Sequence, residues 1–161
     1  MRILAIDPGL RQSAYCLMDA DSLRPLDFDI LPNEDLRHLI RQMEFEEGDR
    51  AAIEMLQSYG NLIGRDVLET AFWVGRFFEA LVRRCGPPAL IYRMEERMHV
   101  CHSPRAGDAE IRRALIDRFC DHDFRTGRGT KAAPDWFHGF RADIWAAYAV
   151  GVTALEKEAE A

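Results

Sequence analysis

The chain has 161 residues, of which 48% are hydrophobic and 30% are charged, and its formal net charge is −6. This length and composition exclude a disordered or fibrous chain and favour a single domain over residues 1–161. No apolar run approaches the roughly 18 residues of a membrane span, and the first residues lack the apolar stretch of a secretory signal. We therefore expect a cytoplasmic protein without a membrane partner. The four cysteines lack CxxC spacing, so we expect reduced thiols.

Hydrophobic periodicity predicts five strands and four helices. Short apolar runs predict strands at 2–7, 13–18, 25–30, 51–56 and 89–93. Apolar residues at three- and four-residue spacing predict helices at 34–44, 65–84, 108–120 and 141–157. The segment 121–139, which is rich in Gly, Arg and Asp, is predicted to be a mobile loop. The order β-β-β-α-β-α-β-α-α predicts an α/β fold with a mixed five-stranded sheet and helices on both faces.

The predicted helix at 65–84 is unusually aromatic. We expect the strip that contains Leu68, Phe72 and Gly75 to pack on the sheet. Trp73 and Phe77 lie on a different strip, which is left for a partner helix. Packing of this second strip within the core is nearly as good an explanation.

Three acidic residues stand in apolar surroundings. Asp7 ends the first predicted strand, Glu54 interrupts an apolar strand, and Asp143 stands in an otherwise apolar helix. A carboxylate among buried apolar residues is costly unless it is paired or bound to a metal ion. Mg²⁺ prefers such oxygen ligands, and two ions about 3.5–4 Å apart can activate water and stabilise a leaving oxygen. Taken singly, each acid is more simply explained as a cap, an ion-pair partner or a surface residue.

Segments over most of the chain resemble the RuvC-like Holliday junction resolvases of the RNase H-like superfamily, particularly the phage-type members. The first hairpin of that family is similar to ILAIDPGLRQSAYCLMD, its second acidic strand to AAIEMLQSYG, and its final helix to RADIWAAYAVGVTAL. The resemblance implies an RNase H-like nuclease domain that cleaves four-way junctions or other branched DNA by two-metal hydrolysis. It assigns catalysis and metal binding to Asp7, Glu54 and Asp143. It also implies Mg²⁺, with Mn²⁺ as a substitute, a homodimer, and the cytoplasm of a bacterial or phage-infected cell.

Two positions depart from the family pattern. Members usually have a second Asp or His one helical turn before the final Asp, and this position falls on Phe140. Either three carboxylates and additional water suffice, or His138 or Asp135 supplies the missing group. Better-known members carry Lys residues at positions that fall near Arg97 and Asp108, and Arg97 could partly replace one of them.

Candidate DNA-binding residues lie in two regions. The resemblance implies that the loop after Glu54 approaches the junction centre, where Tyr59 could stack on an unpaired base; an exposed Tyr in a Gly-terminated turn is an equal alternative. The segment 124–141 is the best candidate for a basic patch, since Arg binds phosphate with two parallel hydrogen bonds. A high genomic GC content would explain the 19 Arg and 2 Lys of the chain equally well. The candidates are Gln57, Ser58, Tyr59, Arg105, Arg125, Arg128, Lys131 and Arg141.

Three other interpretations remain open at this stage. A zinc site is disfavoured because the spacing of the candidate ligands fits no common finger. A branched-DNA-binding module that does not cleave is favoured by Phe140 and by the acidic net charge. An actin-like or sugar-kinase-like ATP-binding domain shares the strand–Asp–x–Gly opening, but the chain lacks a second such loop. The candidate zinc ligands are His99, Cys101, His102, Cys120 and His122.

Overall fold

The structure is a computed structural model that describes residues 1–161. It contains five strands and five helices. The strands are β1 (Arg2–Asp7), β2 (Gln12–Asp19), β3 (Pro25–Pro32), β4 (Arg50–Met55) and β5 (Ala89–Tyr92). The helices are α1 (Asn33–Gln42), α2 (Arg65–Cys85), α3 (Arg93–Cys101), α4 (Asp108–Phe119) and α5 (Ile144–Glu160). None of the helices combines the length and the apolar character that spanning a bilayer requires.

The strands form one mixed sheet in the order β3-β2-β1-β4-β5. The pairs β1–β2 and β2–β3 are antiparallel, whereas β1–β4 and β4–β5 are parallel. Parallel neighbours cannot be joined by a tight turn, so each parallel pair of strands requires a crossover connection. The predicted mixed five-stranded sheet is therefore confirmed.

Helices cover both faces of the sheet, as predicted. Alternate residues of β1 point to opposite faces: Ile3 and Ala5 belong to the core beneath α5, and Leu4 and Ile6 belong to the core beneath α1 and α2. α5 packs very closely on the sheet at Gly151, where a Cβ atom would lie 2.5 Å from the Met18 sulfur.

The apolar strips of α2 are the reverse of those predicted. Phe77 is fully buried, and Trp73 packs against the same core. Leu68 and Phe72 are instead 60% and 63% exposed. The expectation that Leu68 and Phe72 pack on the sheet is therefore wrong, and they form the strip that is free for a partner.

Two differences from the predicted elements affect the functional site. α3 was not predicted, because it is a polar helix whose only buried residue is Glu96. α5 begins at Ile144 rather than at residue 141, because Ala142 adopts a positive φ of 42° and Asp143 precedes the helix. The segment 121–139 contains no helix or strand, as predicted, although the carboxylate of Asp135 holds it together through several backbone hydrogen bonds.

Candidate active site at the carboxyl ends of β1 and β4

Asp7 and Glu54 lie side by side at one edge of the sheet. The parallel register pairs Ile6 with Ile53, so the next residue on each strand reaches the same level. Both acids share the face of Ala5 and Ala52, which is the face that α5 covers. Burial and the adjacent Glu54 carboxyl group raise the pKa of Asp7 well above its ordinary value.

Asp143 approaches this pair from the amino end of α5. Its charge contributes to the raised pKa of Asp7, so the three predicted acids are near one another. The Asp143 side chain is exposed and makes no capping hydrogen bond to its helix. The positive end of the α5 dipole favours negative charge at this point.

Arg93, the first residue of α3, provides a positive charge among these acids. One of its guanidinium nitrogens, Nη1, lies 3.8 Å from Glu54 Oε1 and 3.2 Å from Glu96 Oε1. The other, Nη2, forms an ion pair with Asp108. Arg93 therefore connects β4, α3 and α4 and offsets part of the repulsion between the carboxylates.

Glu96 is an acid on this side of the site that the sequence analysis did not single out. Its side chain is fully buried. Burial raises the pKa of Glu96 to about 8 despite the opposing charge of Arg93. The signal that could have found this region is the parallel pairing of β5 with β4, since ligand-binding residues gather outside the carboxyl ends of such strands.

Two cavities border Asp143. The larger has a volume of about 440 Å³ and the smaller about 50 Å³. The larger is lined by Asp108, Ala109, Arg112, Arg113, Ile116, Arg125, Ala142, Asp143 and Trp145. The smaller is lined by Arg93, Glu96, Asp108, Ile111, Ala142, Asp143, Trp145 and Ala146.

The donor set fits a divalent cation chemically, although it is not a preassembled cage. No three His, Cys, Asp or Glu side chains converge closely enough to hold an ion as they stand. The candidate ligands are nevertheless carboxylate oxygens, which Mg²⁺ prefers. Neighbouring acids raise the pKa of Asp7, and a cation would relieve this repulsion.

Phe140 is not a ligand position facing this site. It lies before α5 and is 1% exposed. Its ring centroid is 4.6 Å from that of Phe28 and 5.1 Å from that of Phe137. The expectation that Phe140 shares a helix face with Asp143 is therefore wrong, because the turn at Ala142 separates them.

The two proposed substitutes for the missing ligand line neither of the Asp143 cavities. The Asp135 carboxylate accepts hydrogen bonds from the backbone N–H groups of Asp121 (2.9 Å), His122 (2.9 Å), Asp123 (2.6 Å) and Trp136 (2.7 Å). These bonds hold the loop, and they leave the alternative of Asp135 as a metal ligand without support from the structure. The exposed His138 ring has Nδ1 3.0 Å from the carbonyl oxygen of Arg128, so its assisting role stays a prediction.

The predicted DNA-binding loop lies directly beyond the carboxyl end of β4. Gln57, Ser58 and Tyr59 are all exposed. Tyr59 is 58% exposed, and its hydroxyl group lies 3.1 Å from Gln57 Oε1. The ring is thus accessible for stacking on a base, which stays a prediction.

The predicted basic residues occupy several different surroundings. Arg125 borders the larger Asp143 cavity, whereas Arg105 borders a separate cavity of about 830 Å³ between α3 and α4. Arg141 forms a 2.8 Å ion pair with Asp29. Arg128 and Lys131 are exposed in the loop before α5. Arg97 is partly buried, with Nη1 3.5 Å from the carbonyl oxygen of Pro104.

Arg112 is a further basic residue at this cavity that the sequence did not single out. Its guanidinium carbon lies 4.6 Å from the centre of the Trp145 ring. Burial, together with the charge of Arg128, lowers the pKa of Arg112. With Arg125 it makes the rim beside Asp143 basic.

Three of the five candidate zinc ligands contact other groups. His99 Nε2 lies 2.6 Å from Glu156, and His122 Nδ1 lies 3.4 Å from Asp135. Cys120 is buried, with its sulfur 3.6 Å from the carbonyl oxygen of Gly127.

Comparison with known proteins gives matches in structure alone. No protein-family model and no curated sequence matches the chain. A Thermus thermophilus RuvC in complex with a Holliday junction substrate matches with a TM-score of 0.69 and 13% identity, over 99% of this chain and 96% of that one. A second T. thermophilus RuvC structure matches with a TM-score of 0.66 and 15% identity, over 99% and 97%. The chain therefore has the RNase H-like fold of RuvC, and the predicted fold is confirmed.

Proposed function

We propose that the protein is a metal-dependent endonuclease that cleaves four-way junctions or other branched DNA. The observation that carries this proposal is the adjacency of Asp7 and Glu54, with Asp143 near them, at the carboxyl edge of a RuvC-like sheet. One of the matching RuvC structures holds a Holliday junction substrate, which supports branched DNA as the substrate class. The function rests on these residues, since a fold alone hosts many activities.

The acidic residues would hold the metal, and the basic rim would hold the DNA. Asp7, Glu54 and Asp143 are the proposed ligands for Mg²⁺, with Mn²⁺ as a substitute. When bound, the metal supplies activation of a water molecule and stabilisation of charge on the phosphate. Arg112 and Arg125 border the Asp143 cavity, where their paired N–H donors would bind flanking phosphates. These contacts offset the net charge of −6, which disfavours DNA binding elsewhere on the surface.

A homodimer is part of the proposal. The strip of α2 that contains Leu68 and Phe72 is more than half exposed, and exposed apolar patches commonly mark protein interfaces. A symmetric dimer would bury the same strip on both copies. We expect Phe72→Ser to reduce the mass measured by light scattering from that of a dimer to that of a monomer. An unchanged mass would reject this interface.

Cleavage of a synthetic four-way junction tests the function. We expect nicking in Mg²⁺ but not in EDTA, and little cleavage of a linear duplex of the same sequence. Asp7→Asn should abolish nicking and retain junction binding in a gel-shift assay, whereas the exposed Asp21→Asn control should cleave like the wild type. Full activity of Asp7→Asn would reject the mechanism. Junction binding by the wild type without cleavage in Mg²⁺ or Mn²⁺ would instead identify a binding module.

A further inference from the structure

Glu96 is a buried carboxylate whose hydrogen bonding is incomplete. It is fully buried on α3, the helix that follows β5. Its Oε1 atom lies 3.2 Å from Arg93 Nη1, but its Oε2 atom has no hydrogen-bond partner. An unpartnered buried carboxylate oxygen is unfavourable, so this atom is free to bind a ligand that the protein itself does not supply.

The cavity beside Glu96 is the one that it shares with Asp143. Its volume of about 50 Å³ suits one small cation with a water molecule. Ala146 lines the same cavity one turn after Asp143, so α5 presents a methyl group there rather than a second carboxylate. Trp145 also lines it, and its buried Nε1 has no hydrogen-bond partner.

Glu96 is also connected to the other side of the site. The same Arg93 nitrogen lies near both Glu96 Oε1 and Glu54 Oε1. Glu96 is therefore linked to Glu54 through Arg93 and to Asp143 through the shared cavity. Phe140, where the family pattern placed a ligand, is instead packed in the aromatic core. A purely structural ion pair with Arg93 would account for Oε1 but leaves Oε2 unexplained.

We propose that Glu96 is an additional metal ligand, which binds a divalent cation through Oε2 in the cavity that it shares with Asp143. The α3 carboxylate thus supplies this cavity with a second acid beside Asp143, where α5 presents only Ala146. This inference rests on the proposed function, because it adds a ligand to the same metal centre. It predicts that metal affinity depends on Glu96 even in the absence of DNA.

Mn²⁺ binding to the full chain without DNA tests the proposal. Calorimetric titration and electron paramagnetic resonance of the free ion would compare the wild type with Glu96→Gln, Asp7→Asn and Glu95→Gln. Glu95 is a matched control on the same helix, because it faces Lys157 rather than the cavity. We expect Glu96→Gln to weaken Mn²⁺ binding at least about tenfold, and Glu95→Gln to bind like the wild type. Wild-type affinity in Glu96→Gln would overturn the inference.

A rescue variant separates ligation from a structural role. In the Glu96→Gln background, Ala146→Asp places a carboxylate on the α5 side of the cavity, and we expect it to restore most of the Mn²⁺ affinity. If Glu96→Gln does not fold, Glu96→Asp, which keeps the charge but shortens the side chain, should fold and bind Mn²⁺ more weakly. Loss of binding in Asp7→Asn, with unchanged binding in both Glu96 variants, would reject Glu96 and retain the nuclease proposal. Absence of binding by the wild type would reject both proposals.

Discussion

The carboxyl groups of Asp7 and Glu54 are neighbours at the ends of two parallel strands, on the sheet face that α5 covers. Two acids in this position repel each other, and burial adds the cost of desolvation. Fold stability does not require such a pair. The pair therefore indicates a site in which stability is reduced to allow ligand binding.

Removing one charge of this pair should stabilise the metal-free protein. Burial and Glu54 raise the pKa of Asp7 well above its ordinary value, which means that the ionised form is unfavourable in the fold. We therefore expect Asp7→Asn to have a Tm in EDTA equal to or higher than that of the wild type, as measured by calorimetry. In contrast, Mg²⁺ should raise the Tm of the wild type more than that of the variant. A clearly lower Tm in EDTA would mean that Asp7 is a structural residue.

Arg93 should be needed for stability mainly when metal is absent. Its guanidinium group lies among Glu54, Glu96 and Asp108, so Arg93→Gln leaves these acids without a counter-charge. We expect the free energy of unfolding in EDTA, from urea denaturation, to fall by about 2–3 kcal/mol, because partly buried acids lose their partner. Mg²⁺ should recover part of this loss.

Arg83→Gln is the control for that measurement, since Arg83 forms an exposed pair with Glu79 on α2. Its removal should change the free energy of unfolding by less than about 1 kcal/mol. Equal effects of the two substitutions would argue against a special role for Arg93.

Asp135 should make the stability of the loop before α5 dependent on acid pH. Several backbone N–H groups lower the pKa of Asp135 against the effect of desolvation. A lowered folded-state pKa contributes stability that is present above the ordinary carboxyl pKa of about 4 and is lost as the pH falls below it. Asp135→Asn should therefore be less stable than the wild type at about pH 6, by about 2 kcal/mol from the lost charged acceptor.

The pH profile distinguishes this role from ordinary packing. The difference in Tm between the wild type and Asp135→Asn should narrow between about pH 5 and pH 2, as the wild-type carboxylate becomes protonated. A difference that is constant over this range would contradict the interpretation.

The sequence allowed the sheet and the acid pair to be predicted for a physical reason. The apolar runs at β1 and β4 are distinct, and parallel strands place the residues at their carboxyl ends at one edge. Hydrophobic periodicity does not indicate which strip of α2 is buried. Phe77 and Phe72 both belong to apolar strips, and only the strip that contains Phe77 faces the sheet.

α3 and the start of α5 were missed for a different reason. The only buried residue of α3 is Glu96, so apolar spacing gives no sign of this helix. The positive φ of Ala142 ends the preceding loop at a residue that is usually a good helix former. The assignment of Phe140 to the α5 face failed as a consequence, and the tertiary packing of its aromatic neighbours decided its position.

Arg125 should contribute to DNA binding without contributing to stability. It is exposed on the cavity that contains Asp143, where a phosphate contact is expected from the proposed function. Arg125→Gln should weaken junction binding about three- to tenfold at moderate salt and reduce the slope of log K against log salt by about 1, because one fewer phosphate is neutralised. Its Tm should match that of the wild type. Arg41→Gln, on the exposed surface of α1, is the control, and an equal loss of affinity in that variant would show that net charge rather than a contact at the Asp143 cavity governs binding.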